Sequence, residues 1–172
     1  EPTEMLALKL TDHKDFMSKL LVHSVFDSFY LVEASITTFQ TYTIDGTLQR
    51  SFYEEAQLPE LFREEQKYAR WKESRNLCLA MIRGSRSPLR FRFVFQQSLE
   101  NTEKVHRISG SPLALSDIHG LYLNFQYNGE TITCTTGTSV GVFTMDRSLE
   151  RTWDSLILSF FRQQNIKYEQ ES

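Results

Sequence analysis

Hydrophobic residues alternate with polar ones in several short segments of the chain, which is the pattern of β-strands with one buried face. Leucine occupies every second position between Met5 and Leu10, and phenylalanine does so between Leu89 and Phe95. The clearest such segment runs from Leu121 to Tyr127 and is followed by Asn128–Gly129, a pair that favours a tight hairpin turn. We therefore predict strands over 5–10, 89–95, 121–127, 130–136 and 140–145.

Residues 29–44 are rich in β-branched and aromatic side chains and are too long for one strand. The alternation of apolar and polar residues shifts by one position near Thr37–Thr38, where we predict a turn or a bulge. Asp45–Gly46 then favours a type I′ hairpin turn, which would pair Tyr42 with Gln49.

The hairpin at Asn128–Gly129 defines two faces of the sheet. A two-residue turn places Phe125 opposite Ile132 and Leu123 opposite Cys134, which makes one face apolar. The other face carries hydroxyl and amide side chains, which form either a docking platform or a surface that is simply solvated. The platform residues are Tyr122, Asn124, Gln126, Thr133 and Thr135.

Between the strands, apolar residues recur at three- and four-residue spacing, which predicts amphipathic helices. In the last of these segments the apolar side chains, Trp153 among them, form a single stripe. The predicted helices are a first one capped by Thr11–Asp12, a long one from Pro59 towards Ile82 with Gly84 as its stop, a short one over 101–108, and a closing one capped by Asp146 or Ser148.

Each half of the chain has the same order of predicted elements: strand, helix, two hairpin strands and helix. Three features of the first half have a counterpart in the second half, each at nearly the same distance along the chain: the start of the first strand, the hairpin glycine and the tryptophan. We predict an α+β fold in which antiparallel sheets and helices form two pseudo-repeated β-α-β-β-α units, over about 5–84 and 88–166. The units would form one domain over 5–172, and residues 1–4 are expected to be a tail or an expression remnant.

Composition narrows the class of protein further. The chain has 172 residues, 13% of them aromatic, and only 7 glycines and 4 prolines, which excludes disordered and collagen-like chains. Its 2 cysteines are too few for a disulfide framework and favour a reducing, cytoplasmic location. A formal net charge of −3 gives no overall attraction to nucleic acid. No apolar run is long enough to span a bilayer, and no membrane partner is expected.

The strongest local charge is basic. Arg83, Arg86, Arg90 and Arg92 lie in a stretch that contains no acidic residue. Arginine binds phosphate and other anions through paired hydrogen bonds, so this stretch is a candidate nucleic-acid or anion site. In a strand, Arg90 and Arg92 would lie on the face opposite the phenylalanines. The alternative is a solvated basic surface that balances the acidic run over 54–65.

Catalytic and metal-binding patterns are weak. Gly137–Gly141 matches the G-x-S-x-G motif of serine hydrolases, but a strand is predicted after it and no histidine follows. The 4 histidines have no zinc-ligand spacing to one another or to a cysteine. Cys78 and Cys134 are interpreted as small core residues. We therefore assign no catalytic residue, no metal and no cofactor.

Several characteristic segments occur together: Met5–Leu10, Phe26–Phe29, Glu33–Phe39, Ile44–Gly46, Thr133–Ser139 and the closing helix with Trp153. As a set they resemble a family of uncharacterised bacterial proteins, mainly clostridial, that is classed as a domain of unknown function. The resemblance extends over nearly the whole chain from Met5 and implies no activity, cofactor or catalytic residue. The tandem order of strand, helix and hairpin is separately similar to the half-domains of sliding DNA clamps, which implies a clamp-like architecture only.

Three functions follow from these patterns. The first is a non-enzymatic interaction or scaffold protein, with an unknown protein partner or self-association. The second is a nucleic-acid-associated protein that uses the arginine-rich strand. The third is an enzyme of unrecognised type, centred on His119, Tyr122 and Cys134 or on residues that the sequence alone does not bring together.

Overall fold

The computed structural model describes residues 3–84 and 86–171, which form one antiparallel sheet with helices. Its seven strands are β1 (Thr3–Leu10), β2 (Tyr30–Thr37), β3 (Thr41–Asp45), β4 (Arg90–Gln96), β5 (Ile118–Tyr127), β6 (Ile132–Val140) and β7 (Tyr168–Gln170). Within the described residues, the five α-helices are α1 (His13–Leu21), α2 (Leu58–Leu61), α3 (Trp71–Ile82), α4 (Leu99–Ser109) and α5 (Ser148–Gln163). The strands lie in the order β3-β2-β4-β5-β6-β1-β7, which confirms the predicted α+β class.

The order of elements repeats along the chain. β1, α1, β2, β3 and α3 are followed by β4, α4, β5, β6 and α5, with the one-turn helix α2 inserted before α3. β1 pairs with β6 and β2 pairs with β4, so the two halves share one sheet. The internal duplication and the clamp-like arrangement stay predictions.

One face of the sheet is apolar and packs against the helices. Phe93 and Phe125 on this face are completely buried. The Phe125 ring lies between Phe16 of α1 and Phe161 of α5, with centroid distances of 4.8 and 6.4 Å. Burial of each such ring contributes roughly 1.5–3 kcal/mol, so the alternating phenylalanines largely determine which face the helices cover.

The two tryptophans attach α3 and α5 to neighbouring backbone. The indole N–H of Trp71 donates to the Leu20 carbonyl at 3.0 Å, and that of Trp153 donates to the Tyr122 carbonyl at 3.1 Å. Both rings are buried, and their polar atoms are thereby satisfied. Each closing helix is therefore held by a directional contact as well as by apolar packing.

The long helix predicted from Pro59 to Ile82 is wrong over its middle, because residues 62–70 between α2 and α3 are not helical. The Leu31 N–H donates to the Ala69 carbonyl at 2.9 Å, which ties this segment to β2. The Arg50 guanidinium donates to three further carbonyls of the segment, at 2.8, 3.2 and 2.8 Å. Tertiary hydrogen bonds therefore override the helix propensity of the sequence.

The predicted hairpin at Asp45–Gly46 is also wrong. The turn lies one strand earlier, at 38–40 between β2 and β3, close to the predicted break in parity. Tyr42 consequently pairs with Ile36 and not with Gln49. Gly46 continues beside β2 without a positive φ, so the Asp-Gly signal does not mark a turn here.

The second predicted hairpin is in its expected place but has a different register. The Asn128 N–H donates to the Thr131 carbonyl, so the turn has four residues and not two. Phe125 therefore lies opposite Cys134, two residues from the predicted partner Ile132. A shift of two residues leaves every side chain on its predicted face.

The last predicted strand, over 140–145, is wrong. β6 ends at Val140, which pairs with Ile118, the first residue of β5. Beyond this point β6 has no neighbouring strand in the described part of the chain, so residues 141–147 are irregular. At the other end of the sheet β1 begins at Thr3, and β7, which was not predicted, pairs with β1.

Candidate functional site

A groove of about 500 Å³ opens between α1, the end of α3, the loop that follows it, and the ends of β4, β5 and β6. The Asp12 side chain caps α1, whose first turn presents His13 and Lys14 to this groove. On the opposite side α3 ends at Ile82, and Arg83 continues in an extended conformation. We name this feature the cationic groove. Its volume is in the range of ligand-binding sites.

The floor of the cationic groove is apolar. It consists of Met17, Leu21, Leu79, Ile82, Phe91, Tyr127 and Ile132. The rings of Phe91 and Tyr127 lie 5.2 Å apart, and the Tyr127 hydroxyl donates to the Gly129 carbonyl at 2.9 Å. His13 contacts the Tyr127 ring edge-on at 6.1 Å. These contacts fix the shape of the floor before any ligand binds.

The rim of the cationic groove is basic. Lys14, Arg83 and Arg86 are exposed and line it together with His13. No aspartate or glutamate is among the lining residues within 3–84 and 86–171. In the same ranges, no carboxylate forms an ion pair with any of these three cations. Uncompensated cations beside an apolar floor attract an anion that carries an apolar group.

Only half of the predicted arginine cluster contributes to this groove. Arg83 and Arg86 line it on the helix side of the sheet. Arg90 and Arg92 lie on the opposite face, because Arg92 pairs in register with polar residues of β2 and β5. Arg92 Nη1 is 2.6 Å from Glu33 Oε1. The four arginines therefore form two separate basic sites, one of them partly neutralised.

Basic residues upstream of the cluster have acidic partners elsewhere in the fold. Arg75 donates to both carboxylate oxygens of Asp27 at 2.8 and 3.1 Å. Arg70 Nη2 lies 3.6 Å from Glu100. No ion pair within the described ranges joins the acidic run over 54–65 to the arginines of the cluster. The acidic run therefore does not neutralise the groove.

The face of the sheet opposite the helices is polar. One row crosses it from edge to edge and consists of Thr43, Ser35, Arg92, Gln126, Thr133, Lys9 and Glu169. Arg92 and Gln126 are exposed at the centre of the row. Two of the five predicted platform residues lie in this row: Gln126, which is exposed, and Thr133, which is half-buried.

The other platform residues lie in neighbouring rows and are half-buried. The Tyr122 hydroxyl accepts a hydrogen bond from Gln96 at 3.2 Å, and burial raises the pKa of Tyr122. The Asn124 amide donates to Thr135 at 3.5 Å, while Asn124 Oδ1 is buried without a partner among the described residues. The predicted platform is therefore half-buried around Tyr122 and exposed to solvent around Gln126.

The residues suggested for an enzyme do not converge. Cys134 lies on the apolar face, where burial raises its pKa well above the ordinary value. Tyr122 lies on the polar face, and His119 is exposed beside Gly141. Burial also raises the pKa of Cys78, to about 12. A thiol reacts as a thiolate, so neither cysteine is poised as a nucleophile.

The G-x-S-x-G motif lies in an unsuitable context. Ser139 pairs with Gly120 inside β6, and the irregular residues 141–147 separate this strand from α5, whereas a nucleophile elbow turns directly from a strand into a helix. Residues 3–84 and 86–171 contain no group of three or more His, Cys, Asp or Glu able to hold a metal ion. None of their helices combines the length and the apolar character needed to cross a membrane.

Sequence patterns alone do not link His13 and Lys14 to the arginines of the rim. His13 and Lys14 lie far before Arg83 in the sequence. Only the packing of α1 against α3 brings them close to the arginines of the rim. Clustering of this kind arises from tertiary structure, so spacing along the chain carries no signal for it.

Comparisons with curated proteins and with solved structures found no match. A family model described as a family of unknown function, DUF5721, matches residues 19–169. The match confirms the resemblance to a family classed as a domain of unknown function, and its range includes Arg83, Arg86 and all strands except β1 and the last residue of β7. The chain therefore belongs to DUF5721, a family of unknown function.

Proposed function

We propose that the protein is a non-enzymatic interaction module whose cationic groove binds an acidic, partly apolar segment of a partner protein. The observation that carries this proposal is the composition of the groove: three exposed cations and a histidine surround an apolar floor, with no carboxylate among the described lining residues. Apolar pockets with a few convergent charged groups are the common form of a binding site.

The charges of the rim favour an anionic ligand. Arg83 and Arg86 each present a planar guanidinium, which binds a carboxylate through two parallel hydrogen bonds. Lys14 adds a third cation from the other side of the groove. Because these side chains are exposed, their attraction should steer association and should weaken as salt increases.

The floor favours an apolar anchor on the same ligand. Met17 adapts its shape to different side chains, and Phe91 and Tyr127 offer aromatic surface for a leucine or phenylalanine. A peptide that alternates acidic and large apolar residues would satisfy both the rim and the floor.

The cysteines are consistent with a cytoplasmic module. Cys78 and Cys134 are both unpaired and buried. Free thiols persist in a reducing compartment, so this pair supports the cytoplasm as the place of action.

Fluorescence anisotropy tests the proposal with a short fluorescein-labelled peptide that alternates glutamate and leucine. We expect the peptide to bind at low salt, and the same peptide with lysine in place of glutamate to bind far more weakly. The double variant Arg83→Ala/Arg86→Ala should lose about tenfold or more in affinity, or about 1.4 kcal/mol. Equal binding of the acidic and basic peptides would reject the proposal.

The matched control is Arg90→Ala/Arg92→Ala, which removes two arginines of the same cluster from the opposite face of the sheet. This variant should bind the acidic peptide as the unaltered protein does. It also tests the alternative of a nucleic-acid-associated protein, with fluorescein-labelled single-stranded DNA as the probe. Salt-sensitive DNA binding that is lost in Arg90→Ala/Arg92→Ala, without binding of the acidic peptide, would favour that alternative.

A further inference from the structure

The strand β3 forms an edge of the sheet whose outer backbone groups have no partner strand within residues 3–84 and 86–171. The Gly46 N–H donates to the Val32 carbonyl and the Thr38 N–H to the Gln40 carbonyl, each at 2.9 Å. Hydrogen-bonded pairs alternate along an antiparallel ladder, so the even-numbered residues of β3 bond to β2. The N–H and C=O groups of the odd-numbered residues therefore point away from the sheet.

The side chains of β3 do little to protect this edge. Natural edge strands are commonly interrupted by lysine, proline or a bulge, or are very short. The sequence from Thr41 to Asp45 contains no lysine or proline, its one charged residue is Asp45 at the end of the strand, and it pairs with β2 without a bulge. The opposite edge is different, because β7 has only 3 residues and carries a glutamate at its centre. The β7 edge is therefore protected against pairing with another strand, whereas the β3 edge is not.

We infer that β3 pairs with β3 of a second copy of this chain, antiparallel, about a two-fold axis through Thr43. This register is the one in which all five residues of β3 find a partner. Thr43 then faces Thr43 of the second copy, Thr41 faces Asp45, and Tyr42 faces Ile44. The outward groups of Thr41, Thr43 and Asp45 coincide with their partners and form roughly six backbone hydrogen bonds.

The side chains of β3 are complementary to themselves in this register. Its single charged residue, Asp45, faces a threonine hydroxyl and not a second carboxylate. Tyr42 and Ile44 are half-buried on the helix side, where an aromatic and a β-branched residue form a favourable cross-strand pair. Phe39, which is 85% exposed and contacts Tyr42 edge-on, lies beside this pair and adds apolar surface. Charge and shape thus both permit the second copy.

Cysteine cross-linking tests both the partner and the register. In the inferred pairing the two Thr43 Cα atoms are about 5.5 Å apart, within the range of about 4.4–6.8 Å for a disulfide. Thr43→Cys should therefore form a covalent dimer under mild oxidation. Thr41→Cys is the matched control, because its two copies would be more than about 13 Å apart. The natural cysteines are buried and should not interfere.

Sedimentation velocity measures the association without a cross-link. The unaltered protein should pass from monomer to dimer between about 5 and 200 µM. Thr43→Lys, which opposes two ammonium groups across the axis, should remain a monomer over that range, whereas Thr133→Lys on the same face should associate normally. A monomer at every concentration, or equal cross-linking of Thr41→Cys and Thr43→Cys, would overturn the inference. Loss of association in both lysine variants would overturn it as well.

Discussion

Gly46 provides the sharpest test of the fold, because two explanations for a glycine at this position predict different effects of substitution on stability. An Asp-Gly hairpin turn would require a positive φ, which asparagine also tolerates. In the structure Gly46 is buried, and its backbone passes close to β2. A Cβ at this position would overlap the Leu31 carbonyl oxygen and would lie 2.6 Å from its carbon and 3.1 Å from the Val32 oxygen. Any side chain at this position, asparagine included, should therefore be destabilising.

The magnitude follows from the hydrogen bonds that the clash would break. The Gly46 N–H donates to Val32, the Ala69 N–H donates to Gly46, and the Leu31 N–H donates to Ala69, each at 2.9 Å. Relief of the overlap requires Gly46 and Leu31 to separate, which strains all three. At about 1 kcal/mol each, their loss costs about 3 kcal/mol. For a chain of this size that corresponds to a fall in Tm of about 6–12 °C.

Differential scanning calorimetry of four variants tests this reasoning. Gly46→Ala and Gly46→Asn should both lower Tm by the stated amount. Gly84→Ala, where a Cβ meets nothing within 4 Å, should leave Tm unchanged or slightly higher. Gly110→Asn should also be tolerated, because Gly110 has a φ of 65° and open space around it. Tolerance of asparagine at Gly46, with a loss only for alanine, would refute the close-approach explanation and restore the turn.

Two further predictions concern titratable groups whose pKa is raised by full or partial burial. Burial raises the pKa of Asp154, against the opposing effect of the hydrogen bond from the Thr136 hydroxyl and with a smaller contribution from Glu150. The folded state therefore favours the protonated acid, whose stabilising effect is lost as pH rises through its pKa. Asp154→Asn should raise Tm near neutral pH, and the gain should shrink as pH falls through the raised folded-state pKa and be lost below the unfolded-state value of about 3.9; a gain that does not change with pH would contradict this. Cys78 and Cys134 should not react with Ellman's reagent until urea unfolds the protein, because burial raises both thiol pKa values; rapid reaction of the folded protein would contradict their placement.

The parts of the fold that sequence patterns predict correctly are those that depend on local periodicity. Alternation identifies β1, β4 and β5 and assigns the phenylalanines of β4 to the buried face. The Asp12 cap of α1 is recognisable because its carboxylate accepts an N–H three residues further along the chain. Even the error in the second hairpin preserves the faces, since a shift of two residues conserves parity.

The errors arise where distant residues decide the local conformation. Residues 62–70 contain good helix formers, yet their carbonyls accept hydrogen bonds from Arg50 and Leu31 and the segment does not form a helix. β6 stops at Val140 because β5 begins opposite that residue. Neither effect has a signature within a short window of sequence.

The candidate site was predictable only in part, for a related reason. Strand parity correctly separates Arg90 and Arg92 from the phenylalanine face. The same argument does not extend to Arg83 and Arg86, which precede the strand and follow the path of the loop after α3. A run of arginines that is continuous in sequence therefore becomes two sites on opposite sides of the sheet. Its function has to be tested as two pairs of substitutions and not as one cluster.

The cationic groove and the β3 edge consist of different residues, but the inferred β3 pairing determines how the grooves of two copies are oriented. A two-fold axis that extends a sheet across its edge runs perpendicular to the sheet, so both copies keep their helices, and hence their cationic grooves, on the same side. A partner with two acidic apolar segments would then bind with an avidity that exceeds the affinity of either groove, by about 10²-fold or more if the linker spans the sites. Thr43→Lys should abolish this gain while leaving the affinity for a single labelled peptide unchanged, whereas Arg83→Ala/Arg86→Ala should weaken both. Weaker binding of the single peptide by Thr43→Lys would mean that the groove and the edge are not separate features.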